Sequence, residues 1–231
     1  MENCLLWLDR ARAPSMNMAT DELLLEKMDS IRKVVLRFYS WNAPSASFGY
    51  SQKPSAVTRP GLALVRRPTG GGVVYHDCDL TYTLAIPAGH PICELNRMES
   101  YRVIHEPVMR AILRLGGKAC LAPDLGQKHD RATLQCFVSP SPNDVLASDG
   151  GKLAGAAQRR TRKGILHQGS VSLQAGRAES LVEAICAELK TAFSFDYSVF
   201  EPSPDFLKEA QALADAKYST PEWNRNGVCG S

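Results

Sequence analysis

The sequence lacks the marks of several large protein classes. No apolar run approaches the roughly 20 residues that span a bilayer, and the short run Cys4 to Leu8 has no basic segment before it. Seven cysteines are scattered without a CxxC pair, which argues against a disulfide framework or a structural zinc site. The net charge of +3 is too small for bulk nucleic-acid binding. We therefore expect a cytoplasmic protein that binds neither membrane nor nucleic acid.

The length and hydrophobic pattern predict one α+β domain, residues 1–231, that acts as a monomer. Helices are predicted near 17–29, with Asn17 as the N-terminal cap, and at 99–115, 181–193 and 206–214. Strands are predicted at 34–41, 45–50, 63–67, 72–76, 80–86, 134–138, 143–147, 152–157 and 165–173. Because the strands cluster in the middle of the chain, we expect a mixed β-sheet flanked by helices.

A glycine-rich segment, RRPTGGGVVYHD (66–77), is the first candidate site. Three consecutive glycines cost backbone entropy, so they predict positive φ or close approach of main-chain N–H groups to a ligand. A hairpin turn explains a bare glycine triplet equally well. The arginine pair before it and His76-Asp77 after it favour a binding site for an oxygen-rich ligand.

The second candidate site is GKLAGAAQ (151–158), in which Lys152 precedes a run of small residues. Small neighbours leave room for an extended ligand, so the lysine ammonium can reach an acyl carbonyl or a phosphate. A solvated lysine in a turn is the simpler interpretation. The basic turn 159–163 is by default a solvated surface but could receive an acidic partner.

These segments resemble a known superfamily. RRPTGGGVVYHD, GKLAGAAQRR and LHQGS are similar to signature blocks of the biotin/lipoate protein ligases and lipoyl(octanoyl)transferases, and NMATDELLL, LRFYSWNAPSASFGYSQ and KYSTPEWN extend the similarity over nearly the whole chain. The resemblance implies a biotin/lipoate ligase catalytic-domain-like fold with an acyl tunnel, in which Lys152 contacts the activated carbonyl. It implies that the acyl chain or substrate is bound by Arg67, Thr69, Gly70, Gly71, Gly72, His76, Gly155, Ala156 and His167.

The resemblance also implies partners and two possible mechanisms. The partners are lipoyl-domain proteins, such as glycine cleavage H protein or a 2-oxoacid dehydrogenase E2, as donor or acceptor of an octanoyl or lipoyl group. Cys136, in CFVSPS, resembles the nucleophilic cysteine of lipoate-ligase-like octanoyltransferases, which need no cofactor. A thiolate attacks a thioester readily and leaves readily, which suits such a transfer.

A lipoate–protein ligase, which uses ATP and Mg²⁺ to form a lipoyl-adenylate, is the alternative. Asn143-Asp144 resembles the pair that holds the adenylate in lipoate ligases, with Asp144 toward Mg²⁺, although Asn-Asp is also a common turn. The short connection between Leu173 and Glu179 leaves no room for a loop over an adenylate. A non-catalytic binder of lipoate is disfavoured by Cys136 and Lys152, and His76, Cys78 and His129 lack metal-site spacing. We predict an acyltransferase with Cys136 as nucleophile and Lys152 as carbonyl clamp.

Overall fold

The computed structural model describes residues 2–124 and 140–227. In these ranges the strands are β1 (Glu2–Leu8), β2 (Val34–Tyr39), β3 (Ser45–Phe48), β4 (Ala63–Arg66), β5 (Val74–His76), β6 (Asp79–Pro87), β7 (Ala119–Leu121), β8 (Val145–Ala147), β9 (Lys152–Thr161), β10 (Gly164–Ser172) and β11 (Phe195–Val199). The helices are α1 (Pro14–Glu26), α2 (Met28–Ile31), α3 (Pro91–Glu94), α4 (Arg97–Arg114), α5 (Ala178–Phe193) and α6 (Pro204–Leu213).

The strands form two sheets. The main sheet has the order β11-β1-β2-β6-β10-β9-β8-β7, and the small sheet has the order β4-β3-β5. In the main sheet β1 runs parallel to β2 and β11, whereas the pairs from β2 to β7 are antiparallel. The predicted α+β fold with a mixed sheet and flanking helices is therefore confirmed.

Helices cover both faces of the main sheet, so β2 is buried at every position. Successive strand residues point to opposite faces. Leu36 accordingly packs in the core that includes residues of α4 and α5, whereas Val35 packs in the core that includes residues of α1 and α6. This burial on both sides explains why β2 reads as a continuous apolar run with one charged residue, Arg37.

The contacts of Arg37 correct one detail of the predicted first helix. Its guanidinium is fully buried and binds Asp9 at 2.7 Å and Asp21 at 2.6 Å. Asn17 does not cap the helix. The helix begins earlier, at Pro14, whose fixed φ suits a first helical turn, and the Asn17 side chain accepts a hydrogen bond from Arg37.

The sequence patterns missed three strands at the margins of the sheet, β1, β7 and β11, and the short helix α3. The predicted piece 143–147 forms a strand only from Val145, and the predicted piece 134–138 lies outside the described residues. Beyond α6 the chain continues in two π-helical turns, Ala214–Tyr218 and Glu222–Asn226.

Candidate active site

A cleft that is partly open to solvent lies over one face of the main sheet. Tyr39, Thr81, Ser170 and Gly155 occupy one row across four adjacent strands, because Tyr39 is opposite Thr81, Thr81 is opposite Ser170, and Ser170 is opposite Gly155. All four line the cleft. Along this row the side chains become smaller, from a tyrosine in β2 to a glycine in β9, which leaves space above β9.

Lys152, the first residue of β9, occupies that space. A Cβ on Gly155 would lie 2.2 Å from Lys152 Cε and 2.4 Å from Lys152 Nζ, so the lysine side chain passes over the glycine. Its Nζ lies 2.7 Å from Asp144 Oδ2, and the two side chains are 5% and 4% exposed. The Asp144 carboxylate also accepts the Ser141 amide at 2.6 Å. The cleft therefore contains a cation whose position is fixed by a buried carboxylate.

Asn143 and Asp144 have separate tasks. Asn143 has a left-handed φ of 67°, and its side-chain amide donates to the carbonyl of Met98 in α4. Its own carbonyl accepts from His105 Nδ1 at 2.5 Å. These contacts fix the turn that directs Asp144 at Lys152, so in this structure Asn143 supports the loop and Asp144 binds the lysine.

A second polar group of the cleft is centred on His76. Its Nδ1 lies 2.8 Å from Asp79 Oδ2 and its Nε2 lies 2.7 Å from Ser47 Oγ. The ring stacks on Trp41 with 3.8 Å between the centroids. Burial alone would raise the pKa of Asp79, but the neighbouring His76 and hydrogen bonds, including those from His76 and Ser170, hold the pKa of its carboxyl below the usual range.

The glycine triplet is held by Arg67 rather than forming a free hairpin. Arg67 donates to the carbonyls of Gly70 and Gly72 at 2.9 and 2.8 Å and to Ser47 Oγ at 2.9 Å. Gly71 has a φ of 84°, which confirms the expected positive φ at that position. The loop also passes so close to Gly49 that a Cβ there would lie 2.0 Å from the Gly71 carbonyl oxygen.

Two more residues, Thr69 and Arg66, hold this loop in place. The Thr69 hydroxyl donates a hydrogen bond to Gln168 Oε1 at 2.7 Å, which connects the loop to β10. Arg66 is buried and its guanidinium donates to five backbone carbonyls, so it joins the start of the loop to the C-terminal turns. The five carbonyls belong to Tyr50, Gln52, Trp223, Asn224 and Arg225.

Apart from Asn143, Asp144 and His167, the predicted site residues divide into three groups. Five line the cleft: Arg67, His76, Lys152, Gly155 and Ala156. Thr69, Gly70, Gly71 and Gly72 form the adjoining loop. Cys136 lies in 125–139, outside the described residues.

His167 does not line this cleft. It precedes Gln168, which lines the cleft, and successive strand residues point to opposite faces. His167 lies 3.0 Å from Gln158 and 3.3 Å from Tyr82, with His105 stacked edge-on at 5.3 Å between the centroids. Burial holds the pKa of His167 well below its usual value, so it is a neutral core residue.

Sequence reasoning missed other residues that line the cleft: Tyr39, Ser47, Thr81, Gln168 and Ser170. Hydroxyl and amide groups recur two residues apart in β6 and β10, at 81 and 83 and at 168 and 170, which was an available signal.

Within residues 2–124 and 140–227 no group of three potential metal ligands is found, and no described helix is long and apolar enough to cross a membrane.

The lipoyl protein ligase A/B catalytic domain model matches residues 13–194. The chain belongs to this family. Family members named octanoyltransferase LipM match most of the chain: the Anoxybacillus flavithermus protein is 39% identical, with 92% of this chain and 94% of that protein covered. The Bacillus subtilis protein is 30% identical at the same coverage. A match of 39% to the Geobacillus kaustophilus protein covers 69% of this chain and 62% of that protein.

Solved structures of this family share the fold. A lipoate protein ligase A bound with ATP superposes with a TM-score of 0.78 at 22% identity, covering 99% of this chain and 100% of that one. The Thermoplasma acidophilum protein Ta0514, a putative lipoate protein ligase, gives 0.78 at 23% identity with the same coverage. A structure described as a bi-partite lipoate protein ligase and its E2 lipoyl domain, from the same organism, gives 0.77 at 21%, covering 100% and 99%. At these identities the likeness establishes the fold alone.

Proposed function

We propose that this chain is an acyltransferase of protein lipoylation that moves an octanoyl group, or a lipoyl group, to a lysine of a lipoyl-domain protein through a thioester on Cys136. The observation that carries the proposal is the buried Lys152 ammonium, held by Asp144 in a cleft whose lining beside the lysine includes the small residues Gly155 and Ala156. Relatives named octanoyltransferase, which match 92% of the chain, support the same assignment.

The cleft has the properties that acyl transfer requires. Gly155 and Ala156 lie side by side in its lining, and the absence of bulky side chains there suits an unbranched chain. Lys152 acts as the donor to the carbonyl oxygen, where negative charge develops when a nucleophile attacks. Because the Lys152 side chain is only 5% exposed, this interaction is stronger than it would be in water.

The ligase alternative fits the structure less well. Mg²⁺ binding by Asp144 would have to compete with the 2.7 Å contact to Lys152. The connection from β10 to α5 covers only residues 173–177, too few for a loop over an adenylate. We therefore favour transfer without a cofactor, with ATP and Mg²⁺ required only if the protein is a ligase.

The partners are lipoyl-domain proteins as donor and acceptor, such as glycine cleavage H protein or an E2 subunit. The structure of a related ligase described together with its E2 lipoyl domain supports this class of partner. We place the reaction in the cytoplasm and the protein in a monomeric form. We treat the chain as a single domain, since one main sheet carries the cleft and separates the two large cores.

The test is acyl transfer with and without ATP. The purified protein is incubated with an octanoylated carrier protein and an unmodified lipoyl domain, and the acceptor mass is followed. We expect the acceptor to gain one octanoyl group without ATP. Acceptor modification only from free octanoate or lipoate, and only with ATP and Mg²⁺, would replace this proposal with the ligase.

A further inference from the structure

Asp79, His76 and Ser47 form a continuous chain of hydrogen bonds along one wall of the cleft. The distances are 2.8 Å from Asp79 Oδ2 to His76 Nδ1 and 2.7 Å from His76 Nε2 to Ser47 Oγ. The His76 and Asp79 side chains are 3% and 4% exposed. Both Ser47 and His76 line the cleft. An aligned carboxylate, imidazole and hydroxyl are the parts of a proton relay.

The proton positions in this chain follow from its partners. The carboxyl of Asp79 is ionised near neutral pH, because His76 and the surrounding hydroxyl groups hold its pKa below the usual range against the opposing effect of burial. A carboxylate only accepts, so Nδ1 of His76 carries a proton. In the neutral imidazole Nε2 is then an acceptor, and the Ser47 hydroxyl donates to it. Arg67 donates to the same Ser47 oxygen at 2.9 Å.

Ser170 lies between this relay and Lys152. Ser170 is not part of the relay, but its hydroxyl donates a hydrogen bond to Asp79 at 2.7 Å. Ser170 stands directly opposite Gly155, and such cross-strand positions have Cβ atoms about 4.5–5.5 Å apart. Lys152 Nζ lies 2.4 Å from the position that a Gly155 Cβ would take. An acyl carbonyl at Lys152 would therefore lie near the Asp79 end of the relay, in the cleft that Ser47 and His76 also line.

We propose that His76 is the proton acceptor for the second half of the reaction, in which the acceptor lysine attacks the acyl group. Ser47 passes the proton from the attacking amine to His76 Nε2, and Asp79 stabilises the resulting imidazolium. The proposal rests on the acyl transfer proposed above, because it concerns the step in which an amine attacks the activated carbonyl.

The step balances without any further reactant. The amine nitrogen bonds to the acyl carbon, and the carbon–sulfur bond breaks with its electron pair on sulfur. One amine proton moves to Ser47 Oγ as the Ser47 proton moves to His76 Nε2. His76 then releases this proton and the thiolate takes up one proton, so that one thioester and one amine give one amide and one thiol.

A purely structural role for the same cluster is the competing explanation. His76 belongs to the small sheet, whereas Asp79 and Ser170 belong to the main sheet, so the cluster also joins the two sheets. A structural role predicts that a change at His76 damages both half-reactions alike. A proton acceptor affects only the attack by the amine, and most strongly for a basic amine whose adduct does not lose its proton readily to water.

The experiment compares the two half-reactions in His76→Gln and Asp79→Asn under single-turnover conditions. We expect acyl-enzyme formation from an octanoylated carrier to change less than about 3-fold, and transfer to the lysine of a lipoyl domain to slow by roughly 10²–10⁴-fold with an unchanged KM for that domain. Transfer to methoxyamine, a weakly basic nucleophile, should again change less than about 3-fold. His90→Gln, far from the relay where His90 caps α3, is the matched control.

Equal slowing of both half-reactions, or equal slowing toward lysine and methoxyamine, would overturn the proposal and leave a structural cluster. The same comparison is made with synthetic octanoyl-adenylate as the acyl source. If the wild-type protein uses only the adenylate, the proposed transferase function fails, while the selective loss toward lysine still decides the role of His76.

Discussion

The ammonium nitrogen of Lys152 lies 2.7 Å from the Asp144 carboxylate, and neither side chain is more than 5% exposed. Removing two charges from water is costly, and their attraction offsets this cost only when the geometry is good. Here Asp144 also accepts the Ser141 amide, which satisfies a further lone pair of its carboxylate. The pair thus maintains a positive charge in the cleft at a fixed place.

Replacing Lys152 by methionine, which keeps most of the length and removes the charge, should reduce acyl transfer by roughly 10²–10³-fold, since it removes the donor to the carbonyl oxygen. It should also lower the free energy of unfolding by about 3–5 kcal/mol, because Asp144 is left buried without its partner. Adding Asp144→Asn should restore much of the stability but none of the activity. Urea unfolding and acceptor mass measure the two effects, and parallel recovery of both would show that Lys152 acts only through stability.

Gly155→Ala tests whether the position of Lys152 matters as much as its charge. The added methyl would lie 2.2 Å from Lys152 Cε and 2.8 Å from Asp144 Oδ1, so the lysine must move. We expect a loss of transfer by roughly 10²-fold, as for a misplaced reacting group, with a native circular dichroism spectrum. Gly151→Ala is the matched control, because its nearest new contact is the exposed Asp149 side chain at 3.1 Å. Equal activity of the two variants would contradict the expectation.

Two buried histidines make stability depend on pH. Burial lowers the pKa of His105 and of His167, and His105 Nε2 has no hydrogen-bond partner among the described residues. As the pH falls below the unfolded value of about 6.5, the unfolded chain binds protons that the folded chain does not. Each histidine should therefore lower the free energy of unfolding by up to about 1.4 kcal/mol per pH unit in that range.

Urea unfolding between pH 7.5 and 5.5, within about one unit of the histidine value, measures this slope. The depressed pKa of Asp79 affects stability only near and below the usual carboxyl value of about 3.9, outside this window. His167→Gln should remove about half of the slope. A stability that is flat with pH in the wild-type protein would show that neither histidine is kept neutral.

The basic turn 159–163 differs from a freely solvated loop. Arg159 binds Glu22 at 2.9 Å, Lys163 binds Glu26 at 2.9 Å, and Arg160 donates to the Leu95 carbonyl. Arg160 and Arg162 are both exposed, and Arg162 makes none of these three contacts, so we expect an acidic partner to depend most on Arg162. Arg162→Glu should slow association with an acidic lipoyl domain more at low than at high salt, without a change in stability. A slowing that is the same at both salt concentrations would exclude steering by this turn.

The sequence predicted the long, strongly periodic elements because their patterns are local. The positive φ at Gly71 followed in the same way from the glycine triplet. The marginal strands β1, β7 and β11 were missed because they are stabilised by pairing with distant segments: Glu2 pairs with Phe195, for example. Asn17 resembled a helix cap, but its real partner, Arg37, lies twenty residues away in the chain.

The candidate site was only partly predictable for the same reason. Lys152 and Gly155 lie in the same strand, so their proximity could be predicted from one short segment of the sequence. The contact of His76 with Ser47 depends on the pairing of β3 with β5, and the contact of Asp79 with Ser170 depends on the pairing of β6 with β10. His167 was assigned to the cleft from a motif, but alternation along β10 places it on the opposite face.

The most direct measurement of the acyltransferase mechanism is the mass of the protein after incubation with an octanoylated carrier and no ATP. We predict one added octanoyl group, located on Cys136 by peptide mapping and released by hydroxylamine, because a transferase must pass through a thioester. Cys136→Ser should abolish both the adduct and transfer, whereas Cys120→Ser, which alters an exposed thiol, should leave both unchanged. Full ATP-dependent lipoylation by the Cys136→Ser variant, with no adduct in the wild-type protein, would contradict the mechanism.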